Sequence, residues 1–238
     1  MINGIEVGAI EILLFLFASY KIQNNWPKLK SIPIICYYWF MMTILTFIWE
    51  ASYIIKYKHV VNMSRALITD KQHVWTNNYT LSAIIPWNLA PIFYSEYGAY
   101  ADREYMSLTD QWSKIVEGSH LLFCGLFALL AVVAKTRGNN NLYLVAANIS
   151  MGTQLMNSIL YMCSYYLLSD TPDSVNYANS SFPMGKWMSH RPFIWVNIFW
   201  TIMPSYYIVK ALIWASNRDR KIVNQIKNLH YKTDLKFK

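Results

Sequence analysis

Long apolar stretches separated by shorter polar ones make up most of this chain. Five of them are long enough, or nearly so, to cross about 30 Å of hydrocarbon as a helix. They are Gly4–Ile22, Ile32–Ile55, Trp112–Ala134, Leu142–Leu168 and Pro192–Ala215. The first contains Glu6 and Glu11, but it lacks the basic start and the small-residue cleavage site of a signal peptide. The pattern predicts an all-α protein, a polytopic membrane bundle of five transmembrane helices.

The longest polar segment, residues 57–111, lies between the second and third predicted helices. Pro86 and Pro91 exclude a long straight helix here. Aromatic residues of this segment indicate a cap at the level of the lipid headgroups; they are Trp87, Phe93, Tyr94, Tyr97, Tyr100 and Tyr105. We therefore expect a single membrane domain at 1–216, with this insertion as its cap, followed by a basic tail at 217–238.

Charge predicts the orientation of the bundle. Lysine and arginine are concentrated in the first short loop (21–30), in the third loop (135–137) and in the tail. The positive-inside rule places these segments in the cytoplasm, so the N-terminus and the cap are expected on the lumenal side. The N-x-S/T sequons at Asn62, Asn78 and Asn179 fall on that same side. Whether they are glycosylated stays open, as does the oligomeric state, a homodimer included.

Composition excludes several classes of function. Hydrophobic residues make up 55% of the chain and charged residues 14%, whereas soluble domains have about 25% charged residues. The net charge of +8 does not come from an aromatic-interleaved basic patch, so we expect no nucleic acid partner. The cysteines lack metal-ligand spacing, and no glycine-rich phosphate motif is present. We therefore expect no metal and no organic cofactor, and the lipid bilayer as the surroundings.

Polar residues inside four of the predicted helices converge on the lumenal half of the bilayer. Within each helix they recur mostly at intervals of three or four residues, so they share one face. In chain order they are Thr46, Glu50, Glu117, His120, Gln154, Asn157, Tyr161, Asn197 and Trp200. Ionisable groups inside a membrane are costly and by default mark a functional interior. The alternative is that the neutral ones only hold helices together.

Glu117 and His120 stand at the start of an apolar run and are three residues apart, on neighbouring faces of one helix. We expect them to form a proton-handling pair at the lumenal mouth of a cavity, opposite Glu50. These three residues are the candidate catalytic groups, and the other six polar residues are candidate substrate contacts. A plain structural role for His120 is the competing interpretation.

Three motifs resemble the emopamil-binding protein family, the EXPERA-domain group that includes the sterol Δ8–Δ7 isomerases and the sigma-2 receptor. They are Trp49-Glu50, the loop "EYGAYADREY" leading to "DQWSKIVE" at 110–117, and "VNIFWTIMP" at 196–204. The similar region runs from about Met41 to Leu212. The resemblance implies a multi-pass protein of the endoplasmic reticulum membrane that binds sterols, other polycyclic lipids and cationic amphiphilic drugs.

By the resemblance, Glu50 and Glu117 match the two essential carboxylates of the isomerases, and Asn197 and Trp200 match the pair on their last helix. The chain also departs from the family pattern. A family histidine is replaced by Thr46, a family threonine is replaced by His120, and an aspartate on the fourth helix appears as Ser158. The histidine is thus absent at one corner of the pocket and present at another. This change either preserves proton handling by a new route or indicates another substrate.

The chemistry that the resemblance implies suits these residues. Moving a ring double bond requires an acid that protonates an alkene, a base that removes a neighbouring proton, and a group that stabilises the carbocation between the two steps. In apolar surroundings a carboxyl group has a raised pKa and is able to donate a proton near neutral pH. A second carboxylate or a histidine acts as the base, and an indole face attracts the cation.

Three functions remain open from the sequence. The first is a sterol isomerase that shifts a Δ8 double bond to Δ7. The second is a non-catalytic sterol- or drug-binding protein of the sigma-2 receptor type, which the histidine missing at Thr46 would favour. The third is a membrane terpene cyclase, because those enzymes also protonate a lipid through an acid that follows a tryptophan, as in Trp49-Glu50.

Overall fold

The computed structural model describes residues 1–103, 112–168 and 193–236. Its helices are α1 (Gly4–Asn25), α2 (Ile34–Ile55), α3 (Tyr57–Asp70), α4 (Pro86–Glu96), α5 (Trp112–Arg137), α6 (Asn140–Leu168) and α7 (Phe193–Lys236). Short 3-10 helices cover Pro27–Ser31 and Leu81–Ile84, and two-residue strands β1 (Ile2–Asn3) and β2 (Asn78–Tyr79) pair antiparallel. Within the described residues the fold is all-α apart from this small ladder. The sequons at Asn62 and Asn78 lie in α3 and β2, and Asn179 lies outside the described residues.

Three helical segments of the described chain are long and apolar enough to cross a membrane: α2, α5 and residues Asn197–Asn217 of α7. This supports the class expected from the sequence, an all-α membrane protein. The other two predicted spans are also helical, as α1 with 22 residues and α6 with 29. Helix α7 continues to Lys236, because no glycine or proline interrupts it after Pro204. The expected boundary at 216 therefore does not coincide with a helix end.

The insertion between α2 and α5 is held to α2 by side-chain-to-backbone hydrogen bonds. The Ser52 hydroxyl donates to the Trp87 carbonyl at 2.5 Å. Within the insertion, Ser64 of α3 donates to the Ser95 carbonyl of α4 at 2.9 Å. Pro86 occupies the first turn of α4, where its missing N–H costs nothing. These contacts fix α4 beside α2, where its side chains can line a space between the helices.

The start of α1 is attached to the same insertion. The Gly4 N–H donates to the Asn77 carbonyl at 3.1 Å, next to the β1–β2 pair. A Cβ atom at Gly4 would lie 2.2 Å from the Val74 carbonyl oxygen. Only glycine permits this approach of the two backbones.

At the end of the bundle away from the insertion, aromatic residues pack against small ones. Tyr37 and Phe40 of α2 are buried among alanines of α5 and α6, and Phe40 stacks edge-on against Tyr143 and Tyr207. The alanines are Ala128, Ala131, Ala134, Ala146 and Ala147. Small residues let helix backbones approach closely in a membrane, so this end forms the tight core of the bundle.

Helix α5 changes its winding in the half nearer the insertion. Residues His120–Gly125 form a π-helical segment between regular α-helical turns. A Cβ atom at Gly125 would lie 2.5 Å from the Cβ atom of Phe47 on α2. π-helical segments are rare and often occur at functional sites. The segment that begins at His120 therefore indicates a candidate functional site beside α5.

Candidate functional site

A cavity of about 740 Å³ lies in this half of the protein, bounded by α2, by α4 and the π-helical turn Tyr97–Ala101 that follows it, and by α5, α6 and α7. Its lining is mostly apolar and aromatic, with a few polar side chains, as is usual for small-molecule sites. All nine residues that the sequence analysis selected line it: Thr46, Glu50, Glu117, His120, Gln154, Asn157, Tyr161, Asn197 and Trp200. The structure therefore brings these candidates to one place, and their roles stay predictions.

Glu50 and His120 form the closest charged contact of the cavity. The His120 Nδ1 atom lies 2.5 Å from Glu50 Oε1, and both side chains are largely buried. The contact is within ion-pair distance, although its angles are not those of an aligned hydrogen bond. The second carboxylate oxygen, Oε2, is buried and has no hydrogen-bond partner among the described residues. His120 thus contacts the glutamate across the pocket, and this pairing was not expected from the sequence.

Glu117, the second candidate acid, is held by the insertion. The Tyr94 phenol of α4 donates to Glu117 Oε2 at 2.9 Å. Burial raises the pKa of the Tyr94 phenol well above its ordinary value, and the neighbouring Glu117 carboxylate raises it further. Tyr94 therefore stays a protonated donor that fixes the carboxylate of Glu117 at the cavity wall.

Gln154 of α6 is buried at the centre of a hydrogen-bond network. Its Oε1 atom accepts from the Trp39 indole N–H at 2.7 Å, and its Nε2 atom lies 3.0 Å from His120 Nε2 and 3.4 Å from Thr43 Oγ1. Thr46, the position of the family histidine, donates to the Thr43 carbonyl at 3.0 Å. Gln154 therefore reaches His120 from the side opposite Glu50.

A second polar chain crosses the cavity from α7 to the end of the insertion. Asn197 Nδ2 donates to the Tyr97 hydroxyl at 3.4 Å, Tyr97 and Tyr161 share a hydrogen bond, and the Tyr161 hydroxyl donates to Asp102 Oδ2 at 3.0 Å. Two of the predicted substrate contacts, Asn197 and Tyr161, are thus partners in one network. Asp102, buried at its far end, was not selected from the sequence.

The remaining predicted contacts lie on the same walls. The Trp200 ring lies 4.9 Å from the Trp39 ring and 5.4 Å, edge-on, from the His120 ring, measured between centroids. Asn157 Nδ2 donates to the Val116 carbonyl at 3.1 Å, so this residue joins α6 to α5. Trp200 therefore packs against His120, the residue that contacts Glu50.

The insertion contributes a third carboxylate to the cavity. Glu96 Oε1 lies 2.6 Å from His73 Nδ1, and Glu96 Oε2 accepts from the Val74 N–H at 3.0 Å. The His73 ring stacks on Tyr100 at 4.1 Å. Phe93 lies 5.5 Å from both Trp49 and Trp75, so an unbroken run of aromatic rings connects the Glu50 side to the Glu96 side.

The sequence analysis placed the aromatic residues of the insertion at the headgroup level and not in the site. In the structure Phe93, Tyr94, Tyr97 and Tyr100 line the cavity. Their spacing of three and four residues after Pro86 is helical, and this signal would have placed them on one side of a helix. Tyr105 lies outside the described residues. Trp39 gave no comparable signal; it is not among the lining residues, and it donates its indole N–H to Gln154.

Comparisons with protein-family models, with curated proteins and with solved structures find no match to this chain. Among the described residues, no group of histidine, cysteine, aspartate and glutamate side chains has the arrangement of a metal site. What the site can do must therefore be argued from its own side chains. A buried carboxyl group, Glu50, whose Oε2 atom has no partner among the described residues, and a half-buried one, Glu117, line the same apolar, aromatic cavity.

Proposed function

We propose that this protein is an intramembrane isomerase that shifts the ring double bond of a sterol from Δ8 to Δ7 by protonation and deprotonation. The observation that supports it best is the presence of Glu50 and Glu117 on the walls of one largely apolar cavity. A carboxylic acid adds a proton to one alkene carbon, and the electron pair of the double bond forms the new C–H bond. A carboxylate then removes a proton from the carbon on the other side of the cation. The protons balance, so no oxidant or reductant is needed.

The aromatic walls suit the cation between these two steps. An indole face attracts a desolvated cation by about 2 kcal/mol, and Trp200 lines the cavity close to His120. The few polar groups are fixed by hydrogen bonds before a ligand enters, so little reorganisation accompanies the reaction. Either glutamate is able to be the first donor, and the other is then the base.

The motifs at Trp49-Glu50, 110–117 and 196–204 support a place for the protein in the emopamil-binding protein family. With that family we infer five membrane-crossing helices, adding α1 and α6 to the three apolar ones. We also infer residence in the endoplasmic reticulum, an N-terminus and insertion in the lumen, and a C-terminus in the cytosol. Protease protection of terminal tags in sealed microsomes tests the orientation. A protected C-terminal tag would contradict it.

Expression in cells that lack Δ8–Δ7 isomerase, followed by sterol profiling, tests the activity. We expect the wild-type chain to restore Δ7 sterols, and the double variant Glu50→Gln with Glu117→Gln to accumulate Δ8 sterols at equal expression. A wild-type chain that restores nothing, although it is correctly inserted, would overturn the isomerase proposal.

A sterol- or drug-binding protein without turnover is the second candidate. It is favoured by Thr46, which occupies the position of the family histidine and donates its hydroxyl hydrogen to the Thr43 carbonyl, so the side chain at this position exchanges no proton. Tight binding of a sterol or a cationic amphiphile to purified protein, with no conversion on long incubation, would select this function.

A further inference from the structure

The orientation of the Gln154 amide determines where the proton of His120 lies. An amide has one acceptor end and one donor end, and an indole N–H is only a donor. Since the Trp39 indole N–H lies 2.7 Å from Gln154, the atom facing it must be the amide oxygen. The opposite orientation would set two donors against each other. The NH₂ group of Gln154 therefore faces His120.

Thr43 supports this orientation independently. Its hydroxyl donates to the Trp39 carbonyl at 2.9 Å, so its oxygen lone pairs remain available on the other side. Gln154 Nε2 lies 3.4 Å from that oxygen and 3.0 Å from His120 Nε2. The two amide hydrogens thus have two acceptors, one on Thr43 and one on the imidazole.

An imidazole nitrogen that accepts a hydrogen bond carries no proton. The neutral His120 ring then has its proton on Nδ1, which lies 2.5 Å from Glu50 Oε1. A doubly protonated ring would direct its Nε2–H at the NH₂ group of Gln154, and that contact is repulsive. We propose that Trp39 and Gln154 are positioning residues that hold His120 in the neutral Nδ1–H tautomer, with its proton on the nitrogen that lies beside Glu50.

This arrangement gives His120 a role different from proton storage. The Nδ1–H group lies beside Glu50 Oε1 whether the carboxyl group is neutral or charged, so the histidine restricts the orientation of that group in both states. The transferable proton then resides on Glu50 Oε2, the buried oxygen that has no partner among the described residues. The catalytic meaning of this arrangement rests on the isomerase activity proposed above, whereas the tautomer itself does not.

Nuclear magnetic resonance of the full chain, labelled with ¹⁵N-histidine and held in nanodiscs without ligand, measures the tautomer directly. Long-range ¹H–¹⁵N correlations distinguish Nδ1–H, Nε2–H and doubly protonated rings. The chain has five histidines, and the signals lost in His120→Asn identify His120. We expect the Nδ1–H pattern at neutral pH. An Nε2–H or doubly protonated pattern would overturn the proposal.

Gln154→Glu is the informative variant. A carboxylate accepts from both the Trp39 indole and the imidazole, so His120 should change to a pattern with a proton on Nε2. We expect a turnover loss of about 100-fold, the lower end of typical acid–base contributions. A variant that keeps the Nδ1–H pattern would contradict the inference.

Two tryptophan variants on α2 complete the test and replace Gln154→Glu should that variant misfold. Trp39→Phe removes the N–H that orients the amide, so we expect both tautomers to be populated. Trp49 lies on the same helix, ten residues after Trp39, and its indole N–H has no partner among the described residues. Trp49→Phe should therefore leave the Nδ1–H pattern of His120 unchanged. Equal patterns in the two variants would overturn the role of Trp39. The tautomer is measured without substrate, so the two proposals fail separately. A chain that shows the Nδ1–H pattern of His120 but converts no sterol would contradict the isomerase proposal and leave the tautomer in place.

Discussion

Two glutamate–histidine pairs face the same cavity, one between membrane-crossing helices and one in the insertion. In both, a histidine Nδ1 atom approaches a glutamate Oε1 atom, at 2.5 Å for His120–Glu50 and at 2.6 Å for His73–Glu96. Their surroundings differ. The side chains of His120 and Glu50 are 11% and 4% exposed, whereas His73 is 50% exposed.

The second carboxylate oxygen distinguishes the two pairs further. Glu96 Oε2 accepts from the Val74 N–H at 3.0 Å, whereas Glu50 Oε2 has no partner among the described residues. A buried carboxylate with both oxygens occupied, beside a half-exposed histidine, ties two backbone segments together. A buried carboxyl group with one oxygen unpartnered leaves that oxygen available to carry a proton. A glutamate–histidine pair therefore suits two roles in this protein: it stabilises the insertion at Glu96, and it is available for proton transfer at Glu50.

The same substitution in both pairs tests this distinction most strongly. Glu50→Gln keeps the shape and removes the acid, so we expect turnover to fall by about 10²–10⁴-fold while inhibitor affinity stays within about tenfold. Glu96→Gln should change turnover by less than about tenfold. Sterol conversion and inhibitor binding by purified variants measure both effects. Similar losses in the two variants would remove the distinction.

Glu117, the other glutamate on the cavity wall, belongs to neither pair, and its substitution tests whether it behaves like Glu50 or like Glu96. Glu117→Gln should abolish turnover as Glu50→Gln does, again with inhibitor binding within about tenfold. Tyr94→Phe keeps the acid and removes only its hydrogen-bond donor, so we expect a loss of about tenfold, the equivalent of one ordinary hydrogen bond. If Glu117→Gln retained near-normal turnover, Glu117 would belong with Glu96 as a structural group.

Gly125 tests whether the buried pair depends on the close approach of α2 and α5. Gly125→Ala places a Cβ atom 2.5 Å from the Phe47 side chain, and overpacking of this kind destabilises by about 1–3 kcal/mol. Gly152→Ala on α6 is the matched control, because nothing lies within 4 Å of its new methyl group. The control should be neutral or stabilising by up to about 1 kcal/mol.

Thermal unfolding of both glycine variants in detergent measures these effects. Gly125→Ala should also weaken the contact between His120 and Glu50 and leave His73–Glu96 unaffected. Equal stability of the two variants would show that the close contact at Phe47 is easily relaxed.

The smallest expected effect concerns the stability of the insertion. Glu96→Ala leaves the buried Val74 N–H without its acceptor, which costs about 1–3 kcal/mol. Glu96→Gln keeps an acceptor for that N–H and loses only the half-exposed histidine contact, worth about 0–1 kcal/mol. Limited proteolysis within the insertion compares the two variants. Equal protease sensitivity would indicate that the contact with His73, and not the one with Val74, holds this segment.

Much of the cavity was predictable because polar residues are rare in apolar helices. Glu50, Glu117 and Asn197 each stand out against such a background, and their depth along the helix follows from simple counting. The pairing of side chains was not predictable in this way. His120 was expected beside Glu117 on its own helix, but the structure shows it in contact with Glu50, which belongs to another helix.

The insertion was harder to interpret from the sequence. Amphipathic aromatic residues suit a lipid interface and a cavity wall equally well. The residue types of Tyr94 and Tyr97 therefore did not distinguish between these two locations. Helix ends beyond the membrane were also missed. The tail after Ala215 carries Ile222, Ile226 and Leu229 at helical spacing, and it continues α7 because nothing in it breaks a helix.

The length of α7 has a mechanical consequence. Its 44 residues extend about 66 Å at 1.5 Å per residue, roughly twice the hydrocarbon thickness of a bilayer. Some 19 residues follow the apolar part at Asn197–Asn217, and they form an arm of about 28 Å. Without a proline or a comparable break, a helix does not turn sharply to lie along the surface. A fluorophore placed near Lys236 would therefore be carried on a stiff rod, and its distance from the lipid would report the tilt of α7.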